Sequence, residues 1–124
     1  MAYTLTDPIS ITIDGVAHSL KRVNQDAYGS EYLDRSTSAL YEVRMKIRHT
    51  KEASKIGQIR MDRHNVELTK TVYGSGINPD VVTQAYIVIR NGYNAPTADT
   101  QKLSSGLVAA LTADNLTGVI NWQN

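Results

Sequence analysis

The sequence predicts an α+β fold: about six or seven antiparallel strands, opening with an N-terminal β-hairpin, then two short C-terminal α-helices. Three observations carry that reading. Between Ile9 and Arg90, apolar residues recur mainly at every second position, the period of a half-buried strand. Turn formers interrupt the pattern at Asp14-Gly15, at residues 24–26 and at residues 73–79. After Asn91-Gly92 the apolar spacing changes to that of helices, and strands followed by helices is the α+β order. A chain of 124 residues is expected to be a single domain. Its hairpin lies in residues 1–23, its sheet in 27–91 with a loop at 73–80, and its helices in 96–124.

Residues 3–6 are expected to form a short strand ended by Asp7-Pro8. Ile9, Ile11 and Ile13 alternate with Ser10 and Thr12, Asp14-Gly15 follows, and residues 16–23 resume the strand. Alternation on both sides of Asp-Gly is the strongest short-range hairpin signal. Residues 24–26 read as a turn and 27–33 (AYGSEYL) as a strand with Tyr28 and Tyr32 on one face. Residues 34–38 are polar and loop-like.

Residues 40–50, LYEVRMKIRHT, are the most informative. Tyr41, Val43, Met45 and Ile47 alternate with Glu42, Arg44, Lys46 and Arg48, so one face is apolar and the other carries three cations. A helix would scatter the same residues around its axis. The cations project at intervals of about 7 Å, two strand rises of roughly 3.3 Å, close to the spacing of phosphates on a single strand.

Residues 51–57 are a charged connection ending in Gly57. Residues 58–72 form the next strand, but the apolar phase moves from Ile59 and Met61 to Val66 and Leu68. That shift predicts a bulge near residues 63–65, and it puts Gln58, Arg60, Asp62 and His64 on the polar face. YGSGINP at 73–79 is a loop. VVTQAYIVIR at 81–90 is nearly all apolar and is expected to lie centrally in a sheet. Pro96-Thr97 or Ala98-Asp99 opens a helix with Leu103, Leu107, Val108 and Leu111 on one stripe. Asp114 is expected to cap a second helix bearing Leu116, Val119 and Ile120, although Gly106 and Gly118 weigh against both helices. These helices are too slight to cover the apolar face of the sheet, so a dimer in which each subunit lends helices to the other is expected.

Net charge is +1, which carries no global signal for nucleic acid. Locally, residues 41–70 hold eight Lys/Arg against four Asp/Glu, whereas 93–124 hold one Lys and two Asp. The absence of cysteine excludes disulfides and thiolate chemistry. The N-terminus lacks a positive segment followed by an apolar core, so no signal peptide is expected. No apolar run approaches the roughly 18 residues that span a membrane.

Catalytic chemistry finds no support. His18, His49 and His64 fall in no metal-binding spacing, and a polar histidine on the surface is the simpler account of each. No G-x-S-x-G or S-x-x-K occurs. Gly74-Ser75-Gly76 lacks the Gly-Lys-Ser that follows in a phosphate loop. Cross-strand charge pairing accounts for Glu42, Asp62 and Glu67 more cheaply than acid–base work. The basic row is different, because polar rows recur on the neighbouring strands: Gln58, Arg60, Asp62 and His64 on one, Gln84, Tyr86 and Arg90 on the other. Cations hold phosphates and a tyrosine stacks an exposed base. A solvated sheet face of mixed charge is the competing account.

Several segments resemble the coat proteins of small single-stranded RNA bacteriophages of the levivirus type. They are VNQDAYGSEYL, the strand ending VRMKIRHTKE, RHNVELTKTVYGSG and QAYIVIR; they are most similar to coat proteins of phages infecting Caulobacter-like hosts. The resemblance implies an N-terminal β-hairpin, a five-stranded antiparallel sheet and two C-terminal α-helices in each subunit. It also implies a homodimer with a continuous ten-stranded sheet, helices crossing over the partner, and dimers assembling into an icosahedral shell in the virion. It implies binding of genomic RNA, and of an operator hairpin overlapping the replicase start, on the inner sheet face. The RNA-facing residues would be Arg44, Lys46 and Arg48, then Arg60, then Gln84, Tyr86 and Arg90, with Tyr86 where relatives place a base-stacking tyrosine. Residues 73–80 would be the loop that bends differently around five-fold and quasi-six-fold axes. Assembly in the bacterial cytoplasm follows, with no membrane and no small-molecule substrate. No cofactor is required, though a calcium-like divalent cation between dimers is compatible. The alternative is a dimeric single-stranded RNA-binding protein that does not assemble.

Overall fold

The structure, a computed structural model, describes residues 5–123. Six strands form one antiparallel sheet in sequential order: β1 (Ile9–Ile13), β2 (Val16–Asp26), β3 (Gly29–Asp34), β4 (Tyr41–Lys51), β5 (Met61–Val72) and β6 (Val81–Gly92). Helices α1 (Thr97–Ala110) and α2 (Ala113–Ile120) follow. The expected hairpin and five-stranded meander share β2, which is why the strands number six. β2 pairs with β1 from Val16 to Leu20 and with β3 from Lys21 onward. The β1–β2 turn places Asp14 at φ 50° and Gly15 at φ 75°. Positive φ at both central residues is what a tight hairpin turn requires, and Asp-Gly adopts it at least cost.

The core occupies one sheet face. Leu20, Tyr32, Val43, Met45 and Ile47 are buried, with Ile9, Ile11, Ile13, Tyr41, Val66 and Leu68 packed against them. Full burial of such side chains contributes about 1.5–3 kcal/mol each. The hairpin supplies part of this cover: buried His18 reaches Tyr41, its Nε2 lying 3.0 Å from the tyrosine Oη. Cover therefore concentrates on β3 and β4, and β6 keeps almost none. In α1 and α2 no residue is buried. The helices bend by 76° at their junction. There the Thr112 side chain accepts from Asn115 N–H, and Asn115 Nδ2 donates to the Ala110 carbonyl at 2.7 Å.

Several local expectations are corrected. Residues 24–26 are not a turn but the end of β2; the turn is Ala27-Tyr28, where the Asp26 carboxylate accepts from Tyr28 N–H at 2.8 Å. β5 starts at Met61 rather than residue 58. β5 has no bulge either, since its pairing runs unbroken from Tyr41↔Val72 to Lys51↔Asp62. The irregularity lies in β2, between Arg22 and Asn24, where exposed Val23 drops out of register. β6 is the edge strand of the chain's own sheet, not a central one. Thr112 caps α2, and Asp114 sits in its first turn, where a carboxylate still suits the helix dipole. Of the strand expected at 3–6, residues 3 and 4 lie outside the described residues, and Leu5 and Thr6 join no strand.

Between β3 and β4 the chain turns on a buried carboxylate. Asp34 accepts from Ser36 N–H at 2.9 Å, Ser36 Oγ at 2.8 Å, Thr37 N–H at 3.3 Å and the Thr37 hydroxyl. Burial alone would raise its pKa, but the Thr37 and Ser36 donors outweigh it and hold the group below its ordinary value. Its stabilisation is therefore present above the unfolded carboxylate pKa and lost as pH falls through the folded one. We expect Asp34→Ala, which strips four donors of their acceptor, to cost about 1–3 kcal/mol. A drop in thermal midpoint would record this, and an unchanged midpoint would contradict it.

Candidate nucleic-acid interface

In an antiparallel ladder, directly opposed residues share a face. Arg44 opposes Thr69, Lys46 opposes Glu67 and Arg48 opposes Asn65. Thr69 in turn opposes Gln84, Glu67 opposes Tyr86 and Arg63 opposes Arg90. The sheet face opposite the core thus carries Arg44, Lys46, Arg48, Gln84, Tyr86 and Arg90 together, as the alternation predicts. Tyr86 is 67% exposed, with its ring free to meet a ligand.

Arg60 does not join them. Because β5 keeps one phase throughout, Asp62 and His64 fall on the core side with Val66 and Leu68, and the platform row is Arg63, Asn65, Glu67 and Thr69. Arg60 precedes the strand. Its carbonyl accepts from Tyr93 N–H at 3.0 Å, its guanidinium lies 5.2 Å from the Tyr93 ring centroid, and Nη2 is 3.5 Å from Asp62 Oδ1. Sequence reading also missed Glu31, Arg63 and Asn65. The usable signal was Arg63, Asn65 and Glu67 at period two, masked by apolar Ile59 and Met61 just before them.

Carboxylates engage much of the positive charge. Arg44 pairs with Glu31, and its Nη2 lies 3.5 Å from Glu42, which also meets Arg35 at 3.4 Å. Burial alone would lower the Arg44 pKa; the Glu31 hydrogen bond and the charges of Glu31 and Glu42 raise it instead. Arg90 donates twice to Glu52, at 2.7 and 3.0 Å, and this contact holds the Glu52 carboxyl below its ordinary value. Glu67 accepts from Gln84 Nε2 at 2.9 Å and from Thr69 Oγ1 at 3.2 Å. Arg48 and Arg63 are exposed, and Arg63 Nε donates to Asn65 Oδ1 at 3.1 Å.

On the other face, at the same end of the sheet, His49 and His64 oppose each other with Nδ1 atoms 2.9 Å apart. His64 Nε2 lies 2.9 Å from Asn91 Oδ1, while Asn91 Nδ2 donates to the Gly92 carbonyl. Asn91 therefore accepts from His64 Nε2–H, and His64 Nδ1 accepts from His49 Nδ1–H. Burial, with the neighbouring His64 charge, lowers the His49 pKa. Among the described residues no three His, Cys, Asp or Glu side chains converge to hold a metal ion. A base with a depressed folded pKa binds fewer protons folded than unfolded, so its effect on stability is lost as pH falls below the unfolded histidine value near 6.5. We expect the thermal midpoint to fall on acidification through that range, and to fall less in His49→Gln. An equal fall in both would contradict the assignment.

The family described as "Phage phiCb5, coat protein" matches residues 6–92. No curated protein matches the chain. Among solved structures, the fold is similar to that of the virus-like particle of bacteriophage AVE019, with TM-score 0.70 and 17% identity over 96% of this chain and 95% of that one. It is also similar to that of bacteriophage ESE058, with TM-score 0.68 and 17% identity over 97% and 98%. Those likenesses establish a shared fold, a curled antiparallel sheet followed by two helices. The family match covers most of the chain, including every strand: the protein belongs to the phage phiCb5 coat-protein family.

Proposed function

We propose that this coat protein works as a homodimer that assembles into an icosahedral shell, with the polar sheet face turned inward onto single-stranded genomic RNA. The observation that carries the dimer is the uncovered half of the molecule. β6 is a twelve-residue edge with Val81 60% exposed, and among the described residues its outward backbone groups have no strand to pair with. Long apolar edges are aggregation-prone unless paired. Beside it, a cleft of about 900 Å³ opens between β6 and α1, lined by Met61, Ile87, Ile89, Leu103 and Leu107. Leu103 is 79% exposed, and Leu107, Val108 and Ile120 are exposed with it.

Pairing two β6 edges about a two-fold axis satisfies the backbone and joins β2–β6 of each chain into ten strands. It also lays each pair of helices over the partner's β5 and β6, the part of the apolar face that the chain's own hairpin leaves open. The two structural neighbours are virus-like particles, which supports assembly beyond the dimer. The polar face then lines the interior. Lys46, Arg48 and the other unpaired cations meet phosphates, Tyr86 stacks a base, and Gln84 contributes an amide donor or acceptor. An operator hairpin on this face would make the protein a repressor of replicase translation as well as a virion component assembled in the host cytoplasm. A divalent cation between dimers would draw its ligands from more than one chain. Residues 73–80, closed here by Gly74 N–H donating to Asp80 Oδ1 at 2.7 Å, would change shape between symmetry environments.

The second reading is an RNA-binding dimer that does not assemble; the mixed charge of the platform favours it only weakly. Electron microscopy of purified protein separates the two. We expect spherical particles holding nuclease-resistant RNA, and dispersed dimers would contradict assembly. Introducing charge with Leu103→Asp and Leu107→Asp should leave the circular dichroism spectrum intact and yield monomers without particles. Normal particles from that variant would contradict the helix exchange.

A further inference from the structure

The platform is electrostatically divided, and the division assigns its cations different work. Resting on the RNA-binding reading, we infer that the phosphodiester backbone is held at the corner formed by Arg48, Asn65 and Arg63, and that Arg44 and Arg90 are ion-pair residues of the sheet rather than phosphate contacts.

Arg44 is committed. It pairs with Glu31 and lies 3.5 Å from Glu42, so a phosphate there would meet two carboxylates or have to displace them. Lys46 opposes Glu31 on one side and Glu67 on the other. Arg90 spends two donors on both oxygens of Glu52. Arg48 and Arg63, by contrast, are exposed, and among the described residues neither has a carboxylate within 4.0 Å.

The corner is also prepared for an anion. Arg48 opposes Gly29 and Asn65. At Gly29 a Cβ would lie 2.5 Å from the Ile47 carbonyl and 3.6 Å from Arg48 Cδ, so only glycine lets β3 approach β4 this closely beside Arg48. Asn65 Oδ1 accepts from Arg63 Nε at 3.1 Å, which orients the guanidinium and leaves the Asn65 amide N–H₂ as a further donor. Glu52 lies close enough to feel the charge of Arg63, but its oxygens are held by Arg90. Two guanidiniums on adjacent strands, with an amide donor between them, match consecutive phosphates of a single strand, each able to take a bidentate Arg contact. Asp26 and Glu31 share a shallow hollow with Arg48, so the strand should run toward Arg63 rather than across β3.

Purified protein, dissociated from particles and freed of packaged RNA, titrated with a fluorescein-labelled single-stranded RNA oligonucleotide over a range of salt tests this. Each phosphate contact on a single strand contributes about 0.7 to the slope of log affinity against log salt. We expect the Arg48→Gln/Arg63→Gln double variant to lose about 1.4 of that slope, Arg63→Lys to keep it, and Arg44→Gln to keep it while its thermal midpoint falls. A slope lost in Arg44→Gln as much as in the double variant overturns the inference and leaves RNA binding standing. Salt-independent or absent binding by the unmutated protein overturns RNA binding itself, and the inference with it.

Discussion

The unbroken antiparallel register from β4 through β6 is the constraint on which the other features depend. Tyr41↔Val72 through Lys51↔Asp62, and Val72↔Val81 through Met61↔Gly92, pair without a slip. Side chains alternate with period two, so one inserted residue would send Val66 and Leu68 to the polar side and Glu67 and Asn65 into the core. With no insertion, the three longest pairings agree on which face is which. Core, polar platform and the opposed histidines all follow from that agreement.

The same register leaves an unfinished molecule. The β1–β2 hairpin folds its Ile9, Ile11 and Ile13 row toward Leu20, Tyr32 and Val43, and so completes the core over β3 and β4. Among the described residues, nothing does this for β5 and β6. α1 and α2 are apolar enough to serve, yet they stand off from their own sheet with Leu103, Leu107, Val119 and Ile120 exposed. An apolar surface and an apolar helix pair, each without a partner among the described residues, would be complementary in a second copy. The proposed edge pairing through β6 would satisfy the strand and position the helices in one step.

What could be read from residues alone divides along physical lines. β4 was legible because its neighbours enforce strict alternation: Val43, Met45 and Ile47 are buried, and Arg44, Lys46 and Arg48 lie opposite. The Asp14-Gly15 turn was legible because few dipeptides accept two positive φ values. β5 was not. Ile59 precedes the strand and Met61 points to the polar side at its first residue, so two apolar residues outside the core imitated a change of phase and placed Arg60 wrongly on the platform. β6 read as central because its composition is nearly all apolar, yet among the described residues it pairs with β5 alone. The ion pairs of Arg44 and Arg90 depend on Glu31 and Glu52, thirteen and thirty-eight positions away, and no local pattern announces such contacts.

Native-state hydrogen exchange along β6 tests the completed-by-a-second-copy account most directly. In a lone chain, the amides of Val81–Gly92 that point away from β5 are solvent-facing, and protection should alternate along the strand. The dimer account predicts protection at both inward and outward amides, comparable to β4 and β5. Alternating protection, with the outward amides exchanging as fast as an exposed loop, would contradict it.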